Sequence, residues 1–256
     1  MPTISEQKRN TSLQYHIDLK PGDVGEYVLL PGDPARVELF AKYVDKPQKM
    51  AYKREFQTYT GYYKGIKVSC TSTGIGSPST AIAVEELANI GATTFIRIGS
   101  CGGLADDVHV RDLIIATGTM RNEGTTPFYA PLALPAVADF YLTQALIQSA
   151  EELKSRHNFT YHVGLSGAND AFYGDTPEFT NKMHDLRLKG VEMESAAIFI
   201  ITHLRGLRGA AIFTVTATSF TSESLDEMEA GGEASNWFEN MIHVALEAIY
   251  KIHNQK

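Results

Sequence analysis

Residues 70–100 read CTSTGIGSPSTAIAVEELANIGATTFIRIGS, and this stretch decides the fold. It begins inside an apolar and β-branched run, Val68 to Thr73, that reads as a buried strand. Gly74-Ile75-Gly76 breaks that run. Ser77 then stands where a helix cap is expected, with Pro78 at the first helical position, and Ala81, Val84, Leu87 and Ala88 follow helical spacing. A second β-branched and aromatic run, Thr94 to Ile98, gives way to a small-residue loop, Gly99-Ser100-Cys101-Gly102-Gly103. Strand, tight turn, helix, strand is the repeating unit of an α/β fold.

The same unit recurs on either side. Glu26 to Leu30 reads as a buried strand that stops at Pro31-Gly32-Asp33-Pro34, and Ala35 to Lys42 has helical spacing. Further strands are expected at Leu113–Ala116 and Ala210–Thr216, and helices at 140–154, 195–204 and 236–252. No internal repeat, low-complexity tract or Pro/Gly/Ser linker divides the chain, so residues 1–256 are read as one α/β/α domain.

Bulk composition narrows the class. Hydrophobic residues make up 43% and charged residues 21%, which suits a globular chain with a sizeable core rather than a disordered one. Lys+Arg number 23 against 30 Asp+Glu, a formal charge of -7, so no global positive field exists to hold nucleic acid and any anion site must be local. Cys70 and Cys101 lack the spacing of a metal motif or a disulfide scaffold and suit a reducing cytoplasm. Neither a signal-peptide core at the N-terminus nor a run approaching ~20 apolar residues is visible, so no membrane role is expected.

Three Gly-rich loops fall at the carboxyl ends of strands, where open α/β sheets build ligand crevices. Glycine lets backbone N–H groups approach an oxyanion, although each loop alone is equally a tight turn. Arginines add weight to the anion reading: Arg36 follows the first loop, Arg54 lies in Lys53-Arg54-Glu55-Phe56, and Arg97 lies inside a strand. A guanidinium in a central strand cannot shed its charge, so it needs either a buried Glu or a bound anion such as phosphate. Gly190-Val191-Glu192-Met193-Glu194-Ser195 carries two carboxylates two apart, on one face if extended, before an apolar helix. They could be an acid and nucleophile pair, acceptors for sugar hydroxyls, or plain helix N-terminal charge. His16, in Tyr15-His16-Ile17, reads by itself as a surface histidine. No G-x-S-x-G, HExxH or Walker lysine motif occurs.

Taken together and in order, Leu30-Pro31-Gly32-Asp33-Pro34-Ala35-Arg36-Val37, Arg54-Glu55-Phe56, Ser72-Thr73-Gly74-Ile75-Gly76, Arg97-Ile98-Gly99-Ser100 and Val191-Glu192-Met193-Glu194 resemble the trimeric and hexameric nucleoside phosphorylases. The likeness runs from about residue 13 to the C-terminal helix, and its first half looks particularly like the uridine phosphorylase branch. It implies a three-layer α/β/α sandwich around a mixed, partly barrel-like sheet. It also implies phosphate-dependent cleavage of a nucleoside to base and ribose 1-phosphate in nucleoside salvage or catabolism, with phosphate as co-substrate and no cofactor. Gly32, Arg36, Arg97 and Ser100 would hold phosphate, with Arg54 coming from a neighbouring subunit. Ser100, Met193 and Glu194 would hold ribose, and the neighbour's His16 would reach the 5′-hydroxyl. Arg97 and Glu194 would carry the catalysis. Active sites would then lie at the dimer interfaces of a hexamer built as a trimer of dimers. Glu55, Ile75 and Ser79 match positions that in some relatives bind a monovalent cation between subunits; the alternative is a buried Glu bonded to Ser.

At the base the resemblance divides. Cys101, Gly102, Phe172, Glu192, Thr216, Ala217 and Thr218 would surround it. Yet Gly174-Asp175-Thr176-Pro177 stands where uridine phosphorylases carry a Gln and an Arg, and Ala217 stands where bacterial purine nucleoside phosphorylases carry an acid. A pyrimidine is favoured on the upstream likeness, and a purine is the alternative. Two readings from other classes compete: a nucleosidase that uses water, which the arginine set disfavours, and a nucleoside-binding or storage protein without turnover.

Overall fold

The structure, a computed structural model, describes residues 12–219 and 237–255. Its centre is a ten-stranded mixed sheet, and the strands run β1 Tyr27–Leu30, β2 Asp45–Lys53, β3 Phe56–Tyr63, β4 Ile66–Thr71, β5 Thr94–Gly103, β6 Leu113–Asn122, β7 Ala136–Val137, β8 Tyr161–Asn169, β9 Gly190–Glu192 and β10 Arg208–Thr218. Among the described residues the α-helices are α1 Pro34–Phe40, α2 Ser77–Asn89, α3 Phe140–His157, α4 Pro177–Asp185, α5 Ser195–Leu204 and α6 Trp237–Asn254.

Side-chain alternation along the strands builds two cores. On β1, Val28 and Leu30 face one side while Tyr27 and Leu29 face the other; on β5, Phe95 takes the first side and Ile96 and Ile98 the second. Helices α2 and α5 cover the first face, and α1, α3 and α6 cover the second. The sandwich is therefore three-layered, with a mixed sheet apolar on both faces, as helices packed on both sides require.

Five strands close on themselves. β5 pairs parallel with β10, β10 antiparallel with β6, β6 parallel with β8, β8 parallel with β9, and β9 antiparallel with β5. The partly barrel-like sheet is thus a closed five-stranded barrel, extended from β5 by β1, β4, β3 and β2. Closure depends on small residues. A Cβ on Gly190 would stand 2.9 Å from the Gly102 carbonyl oxygen, and one on Gly103 would stand 2.9 Å from Val108.

That packing corrects one expectation: Gly99 to Gly103 is no loop but the second half of β5. Without bulky side chains these residues pair with β10 on one edge and with β9 on the other. A second correction concerns Ser77. The capping position is Gly76, at φ 92°, and Ser77 is already helical, its hydroxyl donating to the Met193 carbonyl oxygen at 3.1 Å. A positive φ suits glycine there, and it frees Ser77 to tie α2 to the acidic segment.

Strands β2, β3, β8 and β9 and helix α4 carry no clear signal in the sequence. β2 is an edge strand studded with Asp45, Lys46, Lys49 and Lys53, which reads as surface, and glycines interrupt β8. Asn236, where the last helix is expected to start, lies outside the described residues; Trp237–Asn254 is helical as expected.

Candidate active site

A cleft of about 850 Å³ opens where β1, β5, β8, β9 and β10 end. Ten residues singled out for phosphate, ribose or base line it: Gly32, Arg36, Arg97, Ser100, Cys101, Gly102, Phe172, Glu192, Met193 and Glu194. Thr216, also singled out for the base, makes eleven, and Glu55, Ile75 and Ser79 of the candidate cation set line the cleft too.

Its anchor is Arg97, only 3% exposed. Its Nη2 donates to Glu194 Oε2 at 2.5 Å and its Nη1 to the Leu30 carbonyl oxygen at 3.2 Å. Nε has no hydrogen-bond partner and stands 3.8 Å from Glu192 Oε2. The buried partner foreseen for a strand arginine is therefore present. Gly99 makes room for it, since a Cβ there would lie 3.0 Å from the guanidinium carbon.

Glu194 is equally fixed. Its Oε1 accepts the Gly76 N–H at 2.7 Å, at the N-terminus of α2, where the helix dipole favours a carboxylate. A carboxylate has about four acceptor positions, so both oxygens can still take a ligand hydroxyl. Glu192 serves the chain itself: it accepts the N–H of Glu194 at 2.9 Å, the N–H of Ser195 at 3.0 Å and the Ser195 hydroxyl at 2.5 Å, covering the start of α5. Burial, and then the neighbouring Glu194 charge, push its carboxyl from 4.5 up to about 7, against the opposing pull of Arg97.

Arg36 reaches the same wall from α1, whose start is capped by Asp33 accepting the Ala35 N–H at 2.8 Å. Its Nη2 donates to Ser100 Oγ at 3.3 Å and its guanidinium carbon lies 3.8 Å from the Phe238 ring centre. Burial and the Arg97 charge pull its pKa down to about 10, partly offset by Asp33 and Glu194. The Gly32 carbonyl oxygen accepts the Gly74 N–H at 3.0 Å. A Cβ on Gly32 would come within 3.5 Å of Arg97 Nη1.

The other end of the cleft is looser. Phe172 is 71% exposed, on a short 3-10 turn. Thr216 Oγ1 donates to the Cys101 carbonyl oxygen at 3.3 Å, at a bulge where β10 shifts register against β5. Ala217 and Thr218 continue β10 beside that wall, and neither lines the cleft. Burial raises the Cys101 thiol well above its ordinary range, which leaves it neutral.

His16 and Arg54 lie outside this chain's cleft, yet the structure brings them to one edge. Lys53 Nζ donates to the Tyr15 carbonyl oxygen at 2.8 Å, tying the two neighbouring segments together. His16 Nδ1 bonds Glu86 Oε1 at 2.6 Å, and Arg54 sits exposed at φ 58° in the β2–β3 turn. At the candidate cation set, Ser79 Oγ donates to the Ile75 carbonyl oxygen at 3.2 Å, and Glu55 packs against Gly74. Among the described residues no group of three or more His, Cys, Asp or Glu is placed to hold a metal ion, and no helix is long and apolar enough to cross a membrane.

Asp33, Gly74, Asn169, Asp175, Val191 and Ser219 also line the cleft. Asp33 and Gly74 sit inside loops already quoted, and Asp175 inside a stretch marked only as a departure. Asn169 had no signal, because the strand that carries it had none.

Comparison with known proteins agrees with this geometry. The family model described as "Phosphorylase superfamily" matches residues 26–250. The chain is 45% identical over 235 residues to a uridine phosphorylase of Thermococcus kodakarensis, covering 86% of this chain and 83% of that one. It is 36% identical over 241 residues to a guanosine phosphorylase of Halorubrum lacusprofundi, covering 92% and 98%. A solved uridine phosphorylase structure from Vibrio fischeri superimposes with a TM-score of 0.84 at 32% identity, over 94% of this chain and 99% of that one.

Proposed function

The chain belongs to the phosphorylase superfamily, and from that premise we propose that it cleaves a nucleoside with inorganic phosphate, uridine first, to give the free base and ribose 1-phosphate. One observation carries the reading. Two arginines, Arg36 and the buried Arg97, line the same wall beside Gly32, and their like charges repel. A phosphate dianion between them relieves that repulsion.

In this reading Gly32, Arg36, Arg97 and Ser100 hold phosphate, while Met193 and Glu194 hold ribose. As the glycosidic bond stretches and the ribose gains oxocarbenium character, the held phosphate attacks the anomeric carbon from the opposite face. Positioning of this kind is worth up to roughly 7–11 kcal/mol at its limit. Phe172, Thr216, Cys101, Gly102 and Glu192 flank the base. Arg54 and His16, on segments joined by the Lys53–Tyr15 hydrogen bond, serve the site of a neighbouring copy in a dimer that repeats into a hexamer, and residues 1–256 act as one unit. Glu55, Ser79 and the Ile75 carbonyl supply oxygen atoms that suit a monovalent cation shared with that copy. The two buried free thiols suit a cytoplasmic setting, with the reaction serving nucleoside salvage.

Similarity to the guanosine phosphorylase, with the missing Gln and Arg after Tyr173, favours a purine as the second reading. Cleavage of uridine and inosine with and without phosphate tests the proposal. Phosphate-dependent loss of either nucleoside is expected. Equal rates in both conditions would indicate a nucleosidase, and binding without turnover a storage protein.

A further inference from the structure

The two arginines of the cleft are held in opposite ways. Arg97 is buried against the carboxylate of Glu194, so its charge is matched inside the protein. Arg36 is half-buried, and both of its side-chain contacts among the described residues are neutral. One is the Ser100 hydroxyl, 3.3 Å from Nη2, and the other is the face of the Phe238 ring, whose centre lies 3.8 Å from the guanidinium carbon. Asp33 and Glu194 act on Arg36 from farther off.

Phe238 is fixed from behind. It stands in the first turn of α6 and packs against the second core, and Met241 and Ile242, three and four residues on along the same helix face, are fully buried. The ring therefore sits where α6 carries it. Arg36 arrives on α1, a helix of only 7 residues, at the end of a long side chain with many rotamers, and the like charge of Arg97 repels it. An aromatic face attracts a guanidinium through the negative side of its quadrupole without neutralising it, so the whole positive charge is left for an anion. A carboxylate in the same place would hold Arg36 as firmly and cancel that charge.

We propose that Phe238, which does not itself line the cleft, is a positioning residue for phosphate: its ring keeps the Arg36 guanidinium beside Gly32 and Ser100 as an uncompensated charge. The inference rests on the phosphorylase reading and divides the labour within the wall. Arg97 and Glu194 form a pair with no net charge, and Arg36 on Phe238 supplies the charge that a dianion needs.

Initial rates of uridine and inosine cleavage at varied phosphate, with the full chain and its variants, test this. Fluorinated phenylalanines at position 238 keep the shape of the ring while draining its face, so KM for phosphate should rise stepwise with the number of fluorines. Phe238→Leu should raise it about three- to thirtyfold, the span of such contacts from exposed to desolvated. KM for the nucleoside should change by less than about twofold, and Phe238→Tyr should keep both constants within about twofold of the parent. The fluorinated forms decide the matter where Phe238→Leu does not fold. A KM for phosphate that the fluorinated forms leave unmoved, or a rise shared equally by phosphate and nucleoside, overturns the role of Phe238 alone. No phosphate-dependent cleavage by the parent overturns the phosphorylase reading instead. Calorimetric titration with inorganic phosphate, which needs no turnover, then decides Phe238: affinity should fall in the same order, and equal affinities, or none in the parent, overturn it.

Discussion

Arg97, Glu192 and Glu194, at one end of the cleft, are each 5% exposed or less, whereas Phe172 and Tyr173, near the other, are 71% and 98% exposed. The first group is locked by strand pairing, helix starts and mutual ion pairs; Glu194 alone joins α2, β5 and α5. The second group stands on a 3-10 turn between β8 and α4, held by hydrogen bonds from Asn122 to Asn169 and from Asn169 to Asp175. A rigid end can hold phosphate and ribose, which every nucleoside substrate of such an enzyme shares. A surface turn can change its side chains at little cost in stability, and that is where a choice of base is cheaply built.

The strongest way to break this contrast is Arg97→Ala. Turnover with phosphate should fall by about 10³-fold or more, beyond the loss typical of one electrostatic donor, because Arg97 is proposed to hold phosphate and is seen to fix Glu194. Unfolding in urea should show a loss of about 3–5 kcal/mol, since Glu194 loses the buried cation that pairs with it. Unaltered phosphate saturation in the folded variant would contradict the assignment.

Glu192 sharpens the contrast through pH. Its carboxyl is held protonated in the fold up to about pH 7 against 4.5 ordinarily, so between those values the folded chain binds more protons than the unfolded one. Stability drawn from this group is therefore greatest at low pH and is lost as pH rises through that window. Glu192→Gln removes the titration while keeping an acceptor for the Ser195 N–H. Between pH 4.5 and pH 8 the parent should lose on the order of 1–3 kcal/mol more than the variant in urea unfolding. Parallel stability curves would show that Glu192 is ionised throughout.

The smallest effect is expected at the exposed end. Phe172→Ala should raise KM for a nucleoside by about three- to tenfold through lost stacking, with stability changed by less than about 0.5 kcal/mol. Differential scanning calorimetry and initial rates measure both. A large drop in melting temperature would mean that the turn bears on the core after all.

Much of the buried end of the cleft was legible beforehand because its residues sit in short, dense strings: Pro31-Gly32-Asp33-Pro34, Gly74-Ile75-Gly76 and Glu192-Met193-Glu194 each combine a strand end with a turn. Arg97 was legible for a different reason, since a charge inside an apolar run needs a partner wherever the chain folds. The base end gave little away. Asn169 and Asp175 lie six residues apart in an unremarkable segment, and their meeting depends on β8 pairing with β6 and β9.

Local order could therefore be read from the chain: the α/β alternation, the glycine turns and the strand arginine follow from periodicity and from charges that cannot be left alone. Tertiary structure decided what periodicity does not encode. Gly99 to Gly103 became barrel strand rather than loop because neighbouring strands supplied partners, and Ser77 turned from capping its helix to holding Met193. Which carboxylate meets Arg97 is likewise an outcome of long-range pairing, since a hydrogen bond between residues 97 positions apart exists only once the barrel has closed.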